Sequence, residues 1–228
     1  MAPTQHTDRA YEQELQELRE MLLAMGGKVE RAIAASVRAV TERDPGLAAR
    51  VKDEDAEVNR LEVDVDNACR RLLALRQPAA SDLRFITTAL KIVTDLERMG
   101  DLAVNIADRA IDLAQAAPLG PLHDIATLAG LSERQLRGAL DAFVERDPVR
   151  AEAVMAGDEA LDALYLKIFH FLLELMMEDS RTIRRATALM FVAKHLERFG
   201  DHAMNVGEMV IYMVRGTDVR HPRSRAVT

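Results

Sequence analysis

Tryptophan is absent, and aromatic residues make up only 4% of the chain. Any core must therefore be assembled from Leu, Ala, Val, Ile and Met. The single cysteine, Cys69, excludes an internal disulfide and fits a reducing cytoplasm. It shares an apolar helical stripe with Val65 and Leu72, which makes it an inert core thiol. Basic charge is in deficit: 30 Lys and Arg stand against 37 Asp and Glu, for a net charge of −7. A nucleic-acid partner would want a basic face and is excluded on that ground. Long apolar runs are lacking too. The most apolar window, 164–177, is interrupted by Lys167, His170 and Glu174 and falls short of the roughly 20 residues that a membrane span needs. The polar, acidic start of the sequence carries no apolar leader, so the expected location is the cytoplasm. Common catalytic signatures are missing as well: there is no H-E-x-x-H, no Gly-rich phosphate loop and no plausible Ser/His/Asp set. None of the six His residues follows a Glu by three positions, which removes the Glu-x-x-His pattern of ferritin-like di-iron bundles.

Proline is sparse and well placed. All seven (Pro3, Pro45, Pro78, Pro118, Pro121, Pro148, Pro222) fall where the helical pattern breaks. Six helical stretches remain, near 9–42, 46–76, 81–115, 122–145, 149–177 and 181–215, and no period-two alternation competes with them. Asp44-Pro45 and Asp147-Pro148 are equivalent helix starts, with Asp as N-cap and Pro at the first helical position. The linker 116–121, Ala-Ala-Pro-Leu-Gly-Pro, divides six helices into three plus three. The fold class is therefore all-α, a tandem repeat of two antiparallel three-helix bundles. The expected units are 9–117 and 121–215, followed by a flexible tail, 216–228.

A repeat is present at the level of individual polar residues. Leu96-Glu97-Arg98-Met99-Gly100-Asp101 recurs as Leu196-Glu197-Arg198-Phe199-Gly200-Asp201. Ala103 and Asn105 recur as Ala203 and Asn205, and Arg84 and Thr87 as Arg184 and Thr187. Any two amphipathic helices share apolar spacing, but Glu, Arg, Gly, Asp and Asn in register are not explained by packing a core. At about 100° per residue, Glu97 and Asp101 lie roughly 40° apart on one helix face. Asn105 and Asp108 extend that stripe, and the second copy gives Glu197, Asp201, Asn205 and Glu208. The middle helix of each bundle offers a matching pair: Asp55 and Asn59, extended by Glu62 and Asp66, in the first, and Asp158 and Asp162 in the second. Like charges at this spacing destabilise an isolated helix by about 0.2–0.5 kcal/mol per pair. Collecting oxygen ligands for a hard cation is a use that would offset this. The ordinary alternative is a solvated acidic face.

Gly100 and Gly200 sit inside helices, where each costs about 1 kcal/mol relative to Ala. Aligned with Ala103 and Ala203, they form a small-residue track that lets a neighbouring helix approach and brings the middle-helix acids within reach. Arg98 and Arg198 are placed to pair with the stripe, whereas Arg84 and Arg184 lie about four turns away. His195 and His202 have no counterparts in the first repeat and are expected on the surface. The eleven Met residues are read as core filler, with an adaptable contact surface as the alternative.

These features resemble the PhoU family, regulators of bacterial phosphate uptake. The resemblance rests on the two L-E-R-[MF]-G-D-x-A-x-N segments, on Ser81-Asp82-Leu83-Arg84 and on Tyr212-Met213-Val214-Arg215-Gly216, and spans roughly residues 10–218. It implies two three-helix bundles related by a pseudo-twofold, each bearing an E(D)-x-x-x-D metal cluster: Glu97, Asp101, Asp55 and Asn59 in one, and Glu197, Asp201, Asp158 and Asp162 in the other. Divalent or trivalent ions are implied, iron or zinc first, with magnesium or manganese as alternatives. Asn59, where a carboxylate would complete Asp55, departs from the pattern and makes the first cluster the weaker. The resemblance further implies a cytoplasmic, non-enzymatic negative regulator of phosphate uptake and of the phosphate-starvation response, often dimeric. Its implied partners are the ATPase subunit of the phosphate ABC transporter and its sensor histidine kinase, so that it reaches the membrane through other proteins. Two other classes stay open on the residues alone: a metal-dependent helical-bundle enzyme, and a metal-free acidic scaffold for a basic partner.

Overall fold

The structure is a computed structural model describing residues 4–219, with side chains described from residue 9 onward. Seven α-helices follow in order: α1 (Thr4–Glu42), α2 (Pro45–Arg76), α3 (Ala80–Ala114), α4 (Leu122–Glu145), α5 (Pro148–Ala156), α6 (Asp158–Glu178) and α7 (Ile183–Arg215). A short 3-10 turn, Ser180–Thr182, precedes α7. Among the described residues there is no strand. Helices α1, α2 and α3 pack together as one bundle, and α4, α5, α6 and α7 as the other. α3 and α7 also pack along each other, and α1 lies against α4. The expected tandem of three-helix bundles is the fold.

Local chemistry sets the boundaries. The Asp44 carboxylate accepts from the Leu47 amide at 2.9 Å, and Asp147 from Val149 and Arg150 at 2.9 and 3.2 Å. Each thus satisfies donors that the first helical turn leaves free. The preceding Arg43 and Arg146 close α1 and α4 in the left-handed region, at φ 60° and 53°. Arg43 turns back to donate to the Ala114 carbonyl at 2.9 Å and to that of Ala116, pinning the linker between the bundles.

The fifth stretch is not one helix. It breaks at Gly157, whose amide bonds back to the Val154 carbonyl at 3.1 Å rather than continuing the four-residue ladder. α6 therefore starts at Asp158, at the level of the carboxylate stripe. The expected tail, 216–228, reaches beyond the described residues; 216–219 carry no regular structure.

The core is aliphatic, as the shortage of rings requires. Leu18, Leu22, Ile33, Ile86, Ile92, Leu96 and Ile106 are fully buried, with Phe143 and Phe199 as its largest members. Methionine contributes at Met25, Met99, Met209 and Met213, while Met177 is 80% exposed. Cys69 is fully buried, and burial pushes its thiol up to about 12, as expected of an inert core residue. Among the described residues, no helix is long and apolar enough to cross a membrane.

Two carboxylate clusters

α3 and α7 present the two copies of the repeat. Their Leu96/Leu196, Met99/Phe199 and Ala103/Ala203 sides point inward and are fully buried, which leaves Glu97/Asp101 and Glu197/Asp201 on the rim of each bundle. The glycines behave as the small-residue track predicts. A Cβ at Gly100 would meet Asp55 Oδ1 and Val58 Cγ1, both at 3.2 Å; one at Gly200 would meet Gln135 Oε1 at 2.6 Å and Leu161 Cδ1 at 2.7 Å. Their missing side chains are what bring α2 onto α3 and α6 onto α7 at the level of the acids.

In the first bundle, Asp55 rests on Gly100 and accepts from Asn59 Nδ2 at 3.0 Å. With its nitrogen turned to Asp55, Asn59 turns its oxygen elsewhere. Burial raises the Asp55 carboxyl above its ordinary value and Asp101 adds to the rise, while the Asn59 bond works the other way. Glu97 is likewise raised, first by burial, then by Asp101, Glu62 and Asp55, against the opposing Arg98. The Arg98 guanidinium stands 3.5 Å from Glu97 and 3.8 Å from Asp101, as the spacing predicts. Asp108 does not join them, because it is paired with Lys52 at 2.7 Å.

The second bundle is built differently. Lys194, not Arg198, reaches Glu197 at 2.6 Å. Asp158 Oδ1 is buried without a hydrogen-bond partner. Burial raises the Asp158 carboxyl, with Asp162 and Glu197 adding to it and the nearby Gln135 carboxamide opposing. Asp201 keeps an open side to solvent, yet partial burial, Glu197, Asp158 and Asp162 raise its carboxyl against Lys194. The Gln135 side chain, 6% exposed, has neither its nitrogen nor its oxygen in a hydrogen bond of good geometry. The sequence reading missed Gln135. Its signal is a lone amide on the buried α4 stripe of Leu128, Ser132 and Ala139.

The structure thus brings Asp55, Glu97 and Asp101 into mutual range, and likewise Asp158, Asp162, Glu197 and Asp201. Asn59 and Asp162 stand at the exposed edges. Among the described residues, no three His, Cys, Asp or Glu side chains gather closely enough to enclose an ion. The carboxylates share a region without forming a closed coordination sphere.

The histidines depart from expectation. Neither is a plain surface residue, because α7 turns this face toward α3. His202 Nδ1 lies 2.8 Å from Asp95 Oδ1, with both side chains about four-fifths buried. Asn205 donates to the same oxygen at 3.1 Å, which diverts it from the carboxylate stripe. His195 is half-buried with its Nδ1 unpartnered, and burial, Arg198 and Arg109 hold its pKa below the ordinary value.

The fold and its rims define a class: tandem three-helix bundles with paired acidic clusters and a polar seam. Comparison with known proteins narrows it. The family model described as the PhoU domain matches residues 22–110 and 125–210. The chain is 43% identical to a phosphate-specific transport system accessory protein PhoU homolog of Pseudomonas putida over 227 residues, covering 99% of this chain and 88% of that protein. It is 40% identical to the one from Caulobacter vibrioides, covering 97% of each. It superposes on the crystal structure of PhoU from Pseudomonas aeruginosa with a TM-score of 0.87 at 42% identity, over 91% of this chain and 100% of that one. A second match is the phosphate transport system regulatory protein PhoU of Streptococcus pneumoniae, with a TM-score of 0.85 at 29% identity, over 92% and 99%. The chain belongs to the PhoU family of phosphate transport accessory proteins.

Proposed function

We propose that this protein is a non-enzymatic negative regulator of phosphate uptake and of the phosphate-starvation response. It acts in the cytoplasm, as a homodimer, through contacts with the ATPase subunit of the phosphate ABC transporter and with its sensor histidine kinase. The observation that carries this reading is the doubled motif inside a chain that matches PhoU proteins along nearly its whole length. A chain without a membrane-spanning helix among its described residues reaches a membrane complex by docking.

The residues suit a hard cation. Asp158 Oδ1 and both Gln135 polar atoms are buried without partners, and burial, with neighbouring acids adding to it, raises the carboxyls of Asp55 and Glu97 in the first bundle and of Asp158 and Asp201 in the second. Asp158, Asp162, Glu197 and Asp201 would hold an ion in the second bundle. Asp55, Glu97 and Asp101, with Asn59 as a weaker donor, would do so in the first. A cation held there would supply the positive charge that lets these acids stand ionised side by side, and its ligands would come from α2 and α3 in one bundle and from α6 and α7 in the other.

Two measurements test this. Deleting the gene should switch on phosphate-scavenging genes in phosphate-rich medium, and a copy lacking both Glu/Asp pairs should complement poorly; normal repression in the deletion strain would overturn the regulatory role. Elemental analysis of Glu197→Ala/Asp201→Ala should show loss of metal from the second bundle with helicity kept. A wild-type protein without metal would favour the acidic scaffold, for which the open spacing of the carboxylates speaks.

A further inference from the structure

A cavity of about 410 Å3 opens at the seam where the end of α3 meets the start of α7. It lies away from both carboxylate clusters. Three guanidiniums line it, from Arg109, Arg184 and Arg185, against one carboxylate, Asp112. Asp112 is taken up by Arg109 at 3.3 Å, and Arg185 donates to the Ala117 carbonyl at 3.1 Å. Arg184 has no carboxylate partner among the described residues. The cavity walls therefore carry a net charge of about +2 inside a chain whose net charge is −7. Thr187 and Gln115 add polar groups. One wall is the ring of Phe191, 50% exposed and held flat against His195 with ring centroids 6.4 Å apart.

The pseudo-symmetric corner at the other end of the seam shows that this opening is not imposed by the repeat. There Arg84, the counterpart of Arg184, donates to the Met213 carbonyl at 3.2 Å. Lys91, the counterpart of Phe191, lies over the Tyr212 ring at 5.8 Å. That corner satisfies its cations with its own chain. Phe191 and Arg185 stand where the first repeat has Lys91 and Phe85, which leaves a ring and a cluster of cations facing open space.

Ligand sites commonly measure about 300–1,000 Å3, so this cavity has room for a small organic molecule rather than a bare ion. Guanidiniums recognise phosphate oxygens through paired hydrogen bonds, and an exposed ring offers a stacking face. We propose that this cavity binds a nucleotide-class phosphate ester, with Arg109, Arg184 and Arg185 on the phosphate oxygens and Phe191 against the base. The site does not depend on the regulatory reading or on a metal.

Calorimetric titration of the full chain at low salt tests it, with ADP and inorganic phosphate as probes. ADP binds in the submillimolar range, and inorganic phosphate about tenfold more weakly. Arg184→Gln, at an exposed position, weakens ADP by about tenfold, whereas Arg84→Gln leaves it unchanged. Phe191→Ala weakens ADP but not phosphate. Absence of ADP binding, equal affinity in Arg184→Gln, or equal loss in Arg84→Gln overturns the site. Phosphate binding as tight as ADP overturns the role of the ring.

Discussion

Asp158 carries a half-buried carboxylate with one oxygen unpartnered, and with Asp162 and Glu197 as acidic neighbours. Together with Asp55, Glu97 and Asp201 it belongs to a set whose folded-state pKa lies above the unfolded one. Such groups bind protons more tightly when folded. Their contribution to stability is complete below the ordinary carboxylate range and is lost as pH rises through the raised values. Asp158→Asn removes one charge and supplies a donor beside Gln135. In chelator-treated protein at neutral pH it should raise Tm by about 2–4 °C, equivalent to about 1 kcal/mol for a chain of this size. The fall of Tm with rising pH should also become shallower. Calorimetry across the acid range checks both, and an unchanged Tm would mean that the charge is already compensated. At this scale the repeated acids were legible because one side chain type recurred in register. Gln135 and Lys194 were not, since each belongs to only one copy: Thr94 stands where Lys194 does in the other.

At the scale of the element, the glycines decide how closely helices meet. Gly100 faces atoms at 3.2 Å that need give only slightly, and Ala there also gains about 1 kcal/mol of helix propensity. Gly200 faces Leu161 at 2.7 Å and Gln135 at 2.6 Å. Leu161 is fully buried, so Gly200→Ala must displace packed groups at a cost of about 1–3 kcal/mol. Chemical denaturation should find Gly100→Ala near neutral and Gly200→Ala clearly destabilised; the reverse order would contradict these contacts. Asp147→Ala, which strips the cap from α5, should cost about 1 kcal/mol, measured the same way. Helix starts were readable from sequence because Asp-Pro acts locally on the first turn. The break at Gly157 was not readable. Its φ of −75° is helical and Gly inside a helical pattern is tolerated, so nothing in the neighbouring residues marks the change from a four-residue to a three-residue hydrogen bond.

For the whole molecule, α3 and α7 run antiparallel along the seam, with Arg84 against Met213 at one end and Arg109 beside Arg184 at the other. Each bundle uses the other to cover the outer face of its own last helix, α3 or α7. Cutting the chain in the 116–121 linker should therefore give halves that each unfold at a lower temperature than the intact protein and that recombine one to one when mixed. Size-exclusion chromatography with circular dichroism tests this; a half that keeps the intact Tm would show that the seam contributes nothing. The tandem repeat was legible because polar residues recur in register, whereas the pseudo-twofold relating its halves came only as what the family resemblance implied. The seam chemistry was not legible, because His202 finds its acid on the opposite half, more than a hundred positions away.

That pairing works as a key cut on one side only. Asp95 meets His202 and Asn205, while the symmetry mates of these positions are His195, Leu102 and Asn105. Two copies of the first half would keep Asn105 as a donor to Asp95 but set Leu102 where His202 stands, so that each carboxylate loses its imidazole partner. Two copies of the second half would set His195 toward His202 with no acid between them. Only a first half and a second half fit without loss. Halves exchanged between molecules would therefore still pair in the mixed sense, because doubling either half forfeits the Asp95–His202 contact.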